Sequence, residues 1–317
     1  GARSPSTAAA RAAIDGERAP LLADKLRTRH AFFLHRLSHT REAAALVRES
    51  LSSLEKGEAH TEVVLALNLL GAIRFMQAAP AASKAAYDRA LKLASEHHDA
   101  PGKVMALDGR GTTAFAQADD PAAQRFNEQS LEHARQLGDP FWVTRCLKNL
   151  GLSFAVQNEH QRARPLMEES VELSREIGDQ RALAGSLNNL ARLEQVTGNP
   201  RESIAYLREC AEIRQNIGDR WGAALAQCNM GAALHELGEL DAAQHQLEQA
   251  LELFGEIGNR IRLALAHNRL GFLAQSQDAL HVARRHHHQA LRLADDVNEP
   301  VQVHNALRGL AYVLAQD

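Results

Sequence analysis

The chain repeats its own wording every forty residues. "EIGDQRALAGSLNNLARL" starts at Glu176, "NIGDRWGAALAQCNMGAAL" at Asn216, and "EIGNRIRLALAHNRLGFLA" at Glu256. A fixed period of this length marks an array of small units, none of which can bury its apolar face alone. Anchoring on Gly151 and stepping by forty gives Ala31, Gly71, Gly111, Gly151, Ala191, Gly231, Gly271 and Ala311, a column of Gly and Ala only. A second small column holds Ala43, Ser83, Ala123, Ala163, Ser203, Ala243 and Ala283. A third holds Ser50, Ala90, Ser130, Ser170, Cys210, Ala250 and Ala290, and beside it runs the mostly aliphatic column Leu51, Leu91, Leu131, Val171, Ala211, Leu251, Leu291.

Each period reads as two helices. "FWVTRCLKNLGLSFAVQ" (141–157) spaces Val143, Leu147, Leu150 and Phe154 at helical intervals, and "QRARPLMEESVELSREI" (161–177) sets Ala163, Leu166, Met167, Ser170, Val171 and Leu173 on one side. Asn158-Glu159-His160 is the turn between them. Gly178-Asp179 ends the second helix, with Gly suited to a left-handed terminus and Asp suited to capping the next helix. The stop recurs at Gly138-Asp139 and Gly218-Asp219, then softens to Gly258-Asn259 and Asn298-Glu299-Pro300. Small residues at fixed places let helix axes approach closely, and aliphatic ones fill the space between pairs. The expected fold is all-α: a right-handed α-solenoid of stacked antiparallel helix pairs. Residues 20–317 form the array, about seven full repeats plus a final single helix. Residues 1–19 read as a partial preceding repeat or an N-terminal helix, because Ala10 falls in the column of Ser50. The final helix has no partner behind it, so either the chain is cut from a longer polypeptide or this helix is itself the cap.

Composition narrows the function. Aromatics are 4% of the 317 residues, which favours many thin helix contacts over one ring-filled core. A formal charge of −3 carries no footprint for nucleic acid or an anionic membrane, so neither partner is expected. Three cysteines, Cys146, Cys210 and Cys228, lack CxxC spacing and cannot all pair, which points to a reduced, cytoplasmic setting. No apolar run approaches the ~20 residues of a membrane span.

"CLKNLGLSFAVQNEHQRARPLMEESVELSREIGD" resembles a tetratricopeptide repeat (TPR). Gly151, Ala163 and Ser170 match the family's small positions, and Leu150-Gly151 its L-G pair. The family's closing proline is replaced by Gly-Asp, and the period is forty where the family has thirty-four. Both features are similar to the longer-helix variety found in kinesin light chains, Pins-type adaptors and many bacterial regulators.

Chemistry is sparse in the sequence. Walker, GxGxxG, GxSxG and HExxH patterns are missing, so no catalytic residue, metal or cofactor is expected. "HVARRHHHQAL", with His286, His287 and His288, reads as a solvated basic helix face, since consecutive helical residues point about 100° apart. Glu194 reads as reaching solvent, and Cys210 and Cys228 as core. The candidate site is instead the concave face lined by the first helices. Arg145, Lys148 and Asn149, then Asn188, Asn189 and Arg192, then Cys228 and Asn229, then Asn268 and Arg269, and finally Arg308, share the side opposite Leu147 and Leu150. Such amides and cations suit an extended peptide backbone or a carboxylate. The same amides could equally serve only to tie neighbouring repeats.

The wording is also similar to TPR arrays behind a STAND-type NTPase in LuxR-like and AfsR-like transcription regulators. That resemblance implies a non-catalytic scaffold, the sensor or assembly arm of a larger bacterial signalling or transcription regulator. Its partners would be a protein or peptide in the groove and an NTPase domain of the same parent chain. The alternatives are a stand-alone peptide-binding adaptor and the regulatory portion of a multidomain enzyme.

Overall fold

A computed structural model of the chain describes residues 21–35, 39–57 and 59–316. The suggested helix at 1–19, and with it Ala10, lies outside the described residues. The chain divides into two compact units, Gly1–Gln157 and Asn158–Asp317. In the first unit α1 covers 21–35, followed by α2 (Thr40–Lys56), α3 (His60–Met76), α4 (Pro80–Glu96), α5 (Ala100–Ala116), α6 (Asp120–Leu137) and α7 (Pro140–Val156). The second unit holds α8 (His160–Glu176), α9 (Gln180–Val196), α10 (Pro200–Asn216), α11 (Arg220–Glu236), α12 (Leu240–Ile257), α13 (Arg260–Ser276), α14 (Leu280–Asp295) and α15 (Pro300–Gln316). All described regular structure is helical. The architecture is the α-solenoid of stacked helix pairs, and the helices begin one residue earlier than the sequence pattern placed them.

Turn chemistry sets the rhythm. A residue with positive φ recurs every twenty residues: Ala78, His98, Ala118, Gly138, Asn158, Gly178, Gly198, Gly218, Gly238, Gly258, Asp278 and Asn298. The turn inside a pair is therefore built like the turn between pairs, a half-period that glycine alone did not reveal. After the turn, a carboxylate or amide caps the next helix. Asp99, Asp119, Asp139, Asp179, Asp219 and Asn259 each accept a backbone N–H from the first turn, as from Ala182 to Asp179 at 2.9 Å.

The two second-helix small columns are the floor of the packing. Every member from Ala43 to Ala283, and every member from Ser50 to Ala290, has 0% exposure. A further small column went unnoticed in the sequence: Ala66, Ala106, Cys146, Ser186, Ala226, Ala266 and Ala306 are all buried. It meets the column of Ser50 sixteen residues earlier, where Ser170 and Ser186 hydroxyls sit 2.7 Å apart and Ser130 lies 3.1 Å from Cys146.

Glycines of this column, with Gly109 and Gly309 outside it, do more than allow axes to approach. A Cβ on Gly71 or Gly109 would stand 2.7 or 2.2 Å from the ring of Tyr87. On Gly271 or Gly309 it would stand 2.5 or 2.3 Å from the ring of His287. In these two places a second-helix ring fills the notch left by two glycines, one on its own first helix and one on the next. Leu247 fills the same notch beside Gly231, and Asn127 beside Gly111.

Two surface readings are corrected here. His287 is fully buried, because its column faces inward, where Leu207 and Leu247 stand in the preceding pairs. His286, next to it, is half-buried, with Nδ1 3.0 Å from His267 Nδ1. Glu194 is 2% exposed; Arg164 grips both its oxygens, one at 2.9 Å, and Asn199 donates at 2.9 Å. Burial alone would push the Glu194 carboxyl up, but the hydrogen bonds from Arg164 and Asn199 outweigh it and hold the group below its ordinary range.

Candidate functional site on the first helices

First helices of successive pairs touch one another: α3 with α5 and α5 with α7 in the first unit, α11 with α13 and α13 with α15 in the second. The described second helices lie further apart and reach one another through long side chains, as from Arg175 to Glu209 at 2.7 Å. Within each unit the stack is therefore tighter on the first-helix side, which makes that side the inner one. Leu147 and Leu150 are buried, while Arg145, Lys148, Asn149, Leu152 and Val156 face outward from the packing, as the helical spacing requires.

In the first unit the inner face is internally neutralised. Asp108, whose side chain is 3% exposed, accepts from Arg145 Nε at 2.7 Å and from Asn149 Nδ2 at 2.6 Å. Asp108 stands one full period before Lys148, and Asn149 one period after Gly109, so these bonds stitch α5 to α7. Asp108 raises the proton affinity of Arg145, whose guanidinium also lies 5.8 Å from the Trp142 ring. Burial, with Asp108 next, pushes the Tyr87 phenol up. Lys148 is half-buried on the same helix.

The second unit is different. Asn229 Nδ2 donates to Asn188 Oδ1 at 3.2 Å, and Arg269 Nη1 donates to Asn229 Oδ1 at 3.1 Å. This gives a chain of one side chain per helix from α9 through α11 to α13. Arg269 Nη1 also lies 3.1 Å from Cys228 Sγ, and Arg308 lies 4.9 Å above the Phe272 ring. Among the described residues, no carboxylate is within ion-pair distance of Arg192, Arg269 or Arg308. Partial burial without a counter-charge lowers the proton affinity of Arg192. Asn189, one residue from the chained amides, makes no side-chain hydrogen bond among the described residues.

Asn268 sits inside the packing. It is 2% exposed, and its Nδ2 donates to Gln302 O and Oε1. That leaves Oδ1 to accept from His287 Nδ1 at 3.2 Å. The opposite ring nitrogen, Nε2, accepts from Gln275 Nε2 at 3.1 Å, and the same amide donates to Gly309 O. Both ring nitrogens are therefore matched by the neutral imidazole. Burial, with His286, Arg308 and His288, lowers the His287 pKa to about 4.

The three cysteines are buried thiols, and burial pushes Cys146 up to about 12, far from a nucleophile at neutral pH. No group of three His, Cys, Asp or Glu among the described residues could hold a metal ion. No described helix is long and apolar enough to cross a membrane. Sequence reasoning passed over Asp108 and Tyr87 and read the buried His287 as solvated. The available signal lay in the columns: Asp108 stands where Lys148 and Asn188 stand, and Tyr87 and His287 are the two rings whose following first helices carry Gly109 and Gly309.

The tetratricopeptide repeat family model matches residues 182–256, from α9 to α12. No curated protein matches the sequence. Among solved structures, a signal transduction ATPase with numerous domains (STAND) carrying a tetratricopeptide repeat sensor, from Pyrococcus horikoshii, is similar at TM-score 0.69 and 16% identity. The match covers 91% of this chain and 42% of that one. A Rap protein complexed with competence and sporulation factor is similar at TM-score 0.62 and 13% identity, over 93% of this chain and 98% of that one. The apo quorum sensor NprR from B. thuringiensis is similar at TM-score 0.62 and 15% identity, over 93% of this chain and 87% of that one.

Proposed function

We propose that this tetratricopeptide-repeat array is a non-catalytic scaffold that holds an extended acidic peptide segment of a partner against the first helices of its second unit. The observation that carries the reading is the set of cations left without carboxylates there: Arg192, Arg269 and Arg308. Guanidinium groups form paired hydrogen bonds with carboxylates, and such charge-assisted bonds are about twice as strong as neutral ones. Asn189 offers a free amide for a peptide backbone, and the Phe272 and Tyr312 rings add apolar surface further along. The first unit is less suited, since Asp108 already occupies Arg145 and Asn149.

In this reading the array is the sensor or assembly arm of a larger bacterial signalling regulator, working in the cytoplasm and leaving DNA reading and nucleotide hydrolysis to other domains. The resemblance to a STAND protein's sensor supports it. A free-standing adaptor would use the same face, and the gene's full reading frame separates the two: an adjoining NTPase domain supports the first, a short separate gene the second.

The test is peptide selection from a displayed random library, with the chain immobilised. Enrichment of Asp and Glu, lost in a triple R192Q/R269Q/R308Q variant of unchanged helicity, is the expected result. Selected peptides without acidic bias, or equal capture by the triple variant, would remove the reading.

A further inference from the structure

A second candidate site lies away from that face, in the first unit. A cavity of ≈ 250 Å³ opens between α2 and α3, and three arginines line it: Arg41, Arg48 and Arg74. Leu70 supplies most of its apolar lining, with Ala44 and Ile73 packed behind and Gln77 beside Arg74. Arg48 Nε is steadied by Ala44 O at 3.2 Å, and Arg74 Nη1 by Gln77 Oε1 at 3.1 Å. Among the described residues, none of the three arginines forms an ion pair. Three like charges thus share one hollow, and no described carboxylate pairs with any of them.

The array supplies its own comparison. Forty-residue steps carry Arg48 and Arg74 onto Glu168 and Glu194 at the α8–α9 junction. There the charges close on themselves: Arg164 lies 3.7 Å from Glu168 and grips Glu194 with both nitrogens. Elsewhere the two positions hold Asp88 and Ala114, Glu128 and Phe154, Arg208 and Leu234, Glu248 and Ala274, or His288 and Leu314. Only the α2–α3 junction pairs two arginines at these positions, with Arg41 as a third. The charge pairing seen at α8–α9 has no counterpart among the described residues at α2–α3.

We infer that the cavity between α2 and α3 binds a small phosphomonoester, its dianionic head among Arg41, Arg48 and Arg74 and its carbon portion against Leu70. A phosphate ester carries about −1.5 to −2 charges at neutral pH and three acceptor oxygens, which matches three guanidinium forks better than one carboxylate does. The volume is just under the roughly 300–1,000 Å³ of sites for drug-sized ligands, so the ligand is small. This site is independent of the peptide face, because its residues lie on different helices from Arg192, Arg269 and Arg308.

Isothermal titration of the intact chain with phenyl phosphate, inorganic phosphate and benzoate tests it. The expected result is saturable binding of one phenyl phosphate per chain, weaker binding of inorganic phosphate, and benzoate weaker by at least about tenfold. R48Q and R74Q should each reduce phenyl phosphate affinity by about tenfold or more, the loss of one charge-assisted contact. R208Q, at the matching position of another repeat, should leave it unchanged. Absence of saturation at about 10 mM, or an equal loss in R208Q, overturns the site, the latter by reducing it to diffuse surface charge. Benzoate binding as tightly as phenyl phosphate overturns the phosphate assignment. Should R74Q lose helicity, R41Q and R48Q decide the matter, because both side chains are solvent-exposed and outside the packing.

Discussion

Acidification should loosen the last repeats, and His287 sets how much. The ring is fully buried between Gly271 and Gly309, and its two nitrogens are matched as neutral donor and acceptor. Its pKa in the fold is about 4, against 6.5 for a free imidazole. The folded value lies below the unfolded one, so the unfolded chain takes up the proton first. Stability is therefore intact above about pH 6.5 and is lost progressively as pH falls towards 4. With those two values, this one group removes about 2 kcal/mol between about pH 7.5 and 5. His267, also lowered to about 4 by burial and by His286, adds in the same direction. The assay is urea unfolding followed by helix ellipticity at both pH values, on the native chain and on H287L. Leucine is the residue of the two preceding pairs, so it suits the notch, though Asn268 and Gln275 lose their partner. H287L should start weaker at pH 7.5 by about 1–3 kcal/mol and should lose about 2 kcal/mol less than the native chain on acidification. Equal losses in the two proteins would refute the reasoning.

Four further outcomes follow from the packing. Ala118→Gly should stabilise the first unit by about 1 kcal/mol in the same urea assay, because Ala118 is exposed with φ +56°, a conformation glycine adopts freely. Arg164→Ala should cost about 2–4 kcal/mol by leaving the Glu194 carboxylate buried and held by Asn199 alone, and NMR titration should find the Glu194 pKa raised. Gly109→Ala should destabilise by about 1–3 kcal/mol in thermal unfolding, since its Cβ would meet the Tyr87 ring at 2.2 Å. Asn149→Ala should cost about 1–3 kcal/mol by stripping buried Asp108 of a donor, whereas Asn189→Ala should leave stability within about 0.5 kcal/mol.

The fold was legible because its signal is redundant. Any one of Ser83, Ala123 or Ala163 says little, but seven small residues in phase say that two helices cross at that place, and all seven are fully buried. Caps were legible for the same reason: Gly178-Asp179 carries both halves of its chemistry in two adjacent letters. What escaped was the exception within a column. His287 looked like one of several basic residues until its column was compared with Leu207 and Leu247, and Glu194 looked solvated because its partner Arg164 stands thirty residues away. The inner face shows the same limit. The side each residue occupies follows from helical spacing, but whether Asn149 and Asn229 are available depends on Asp108 and Asn188, forty-one residues earlier in each case. A sequence read column by column shows position well and occupancy poorly.

The ring-and-notch junctions also limit how such a chain can be edited. Tyr87 fits because position 109 is glycine, whereas the same place in the following repeats holds Asn149, Asn189, Asn229 and Arg269. Excising residues 101–140 keeps the forty-residue phase intact yet sets Asn149 against the Tyr87 ring. Duplicating a central repeat ahead of α15 likewise parts His287 from Gly309. The order of the modules is thus written into their shapes at two places, and lengthening or shortening this array without redesign is confined to the stretch between those two keyed joints.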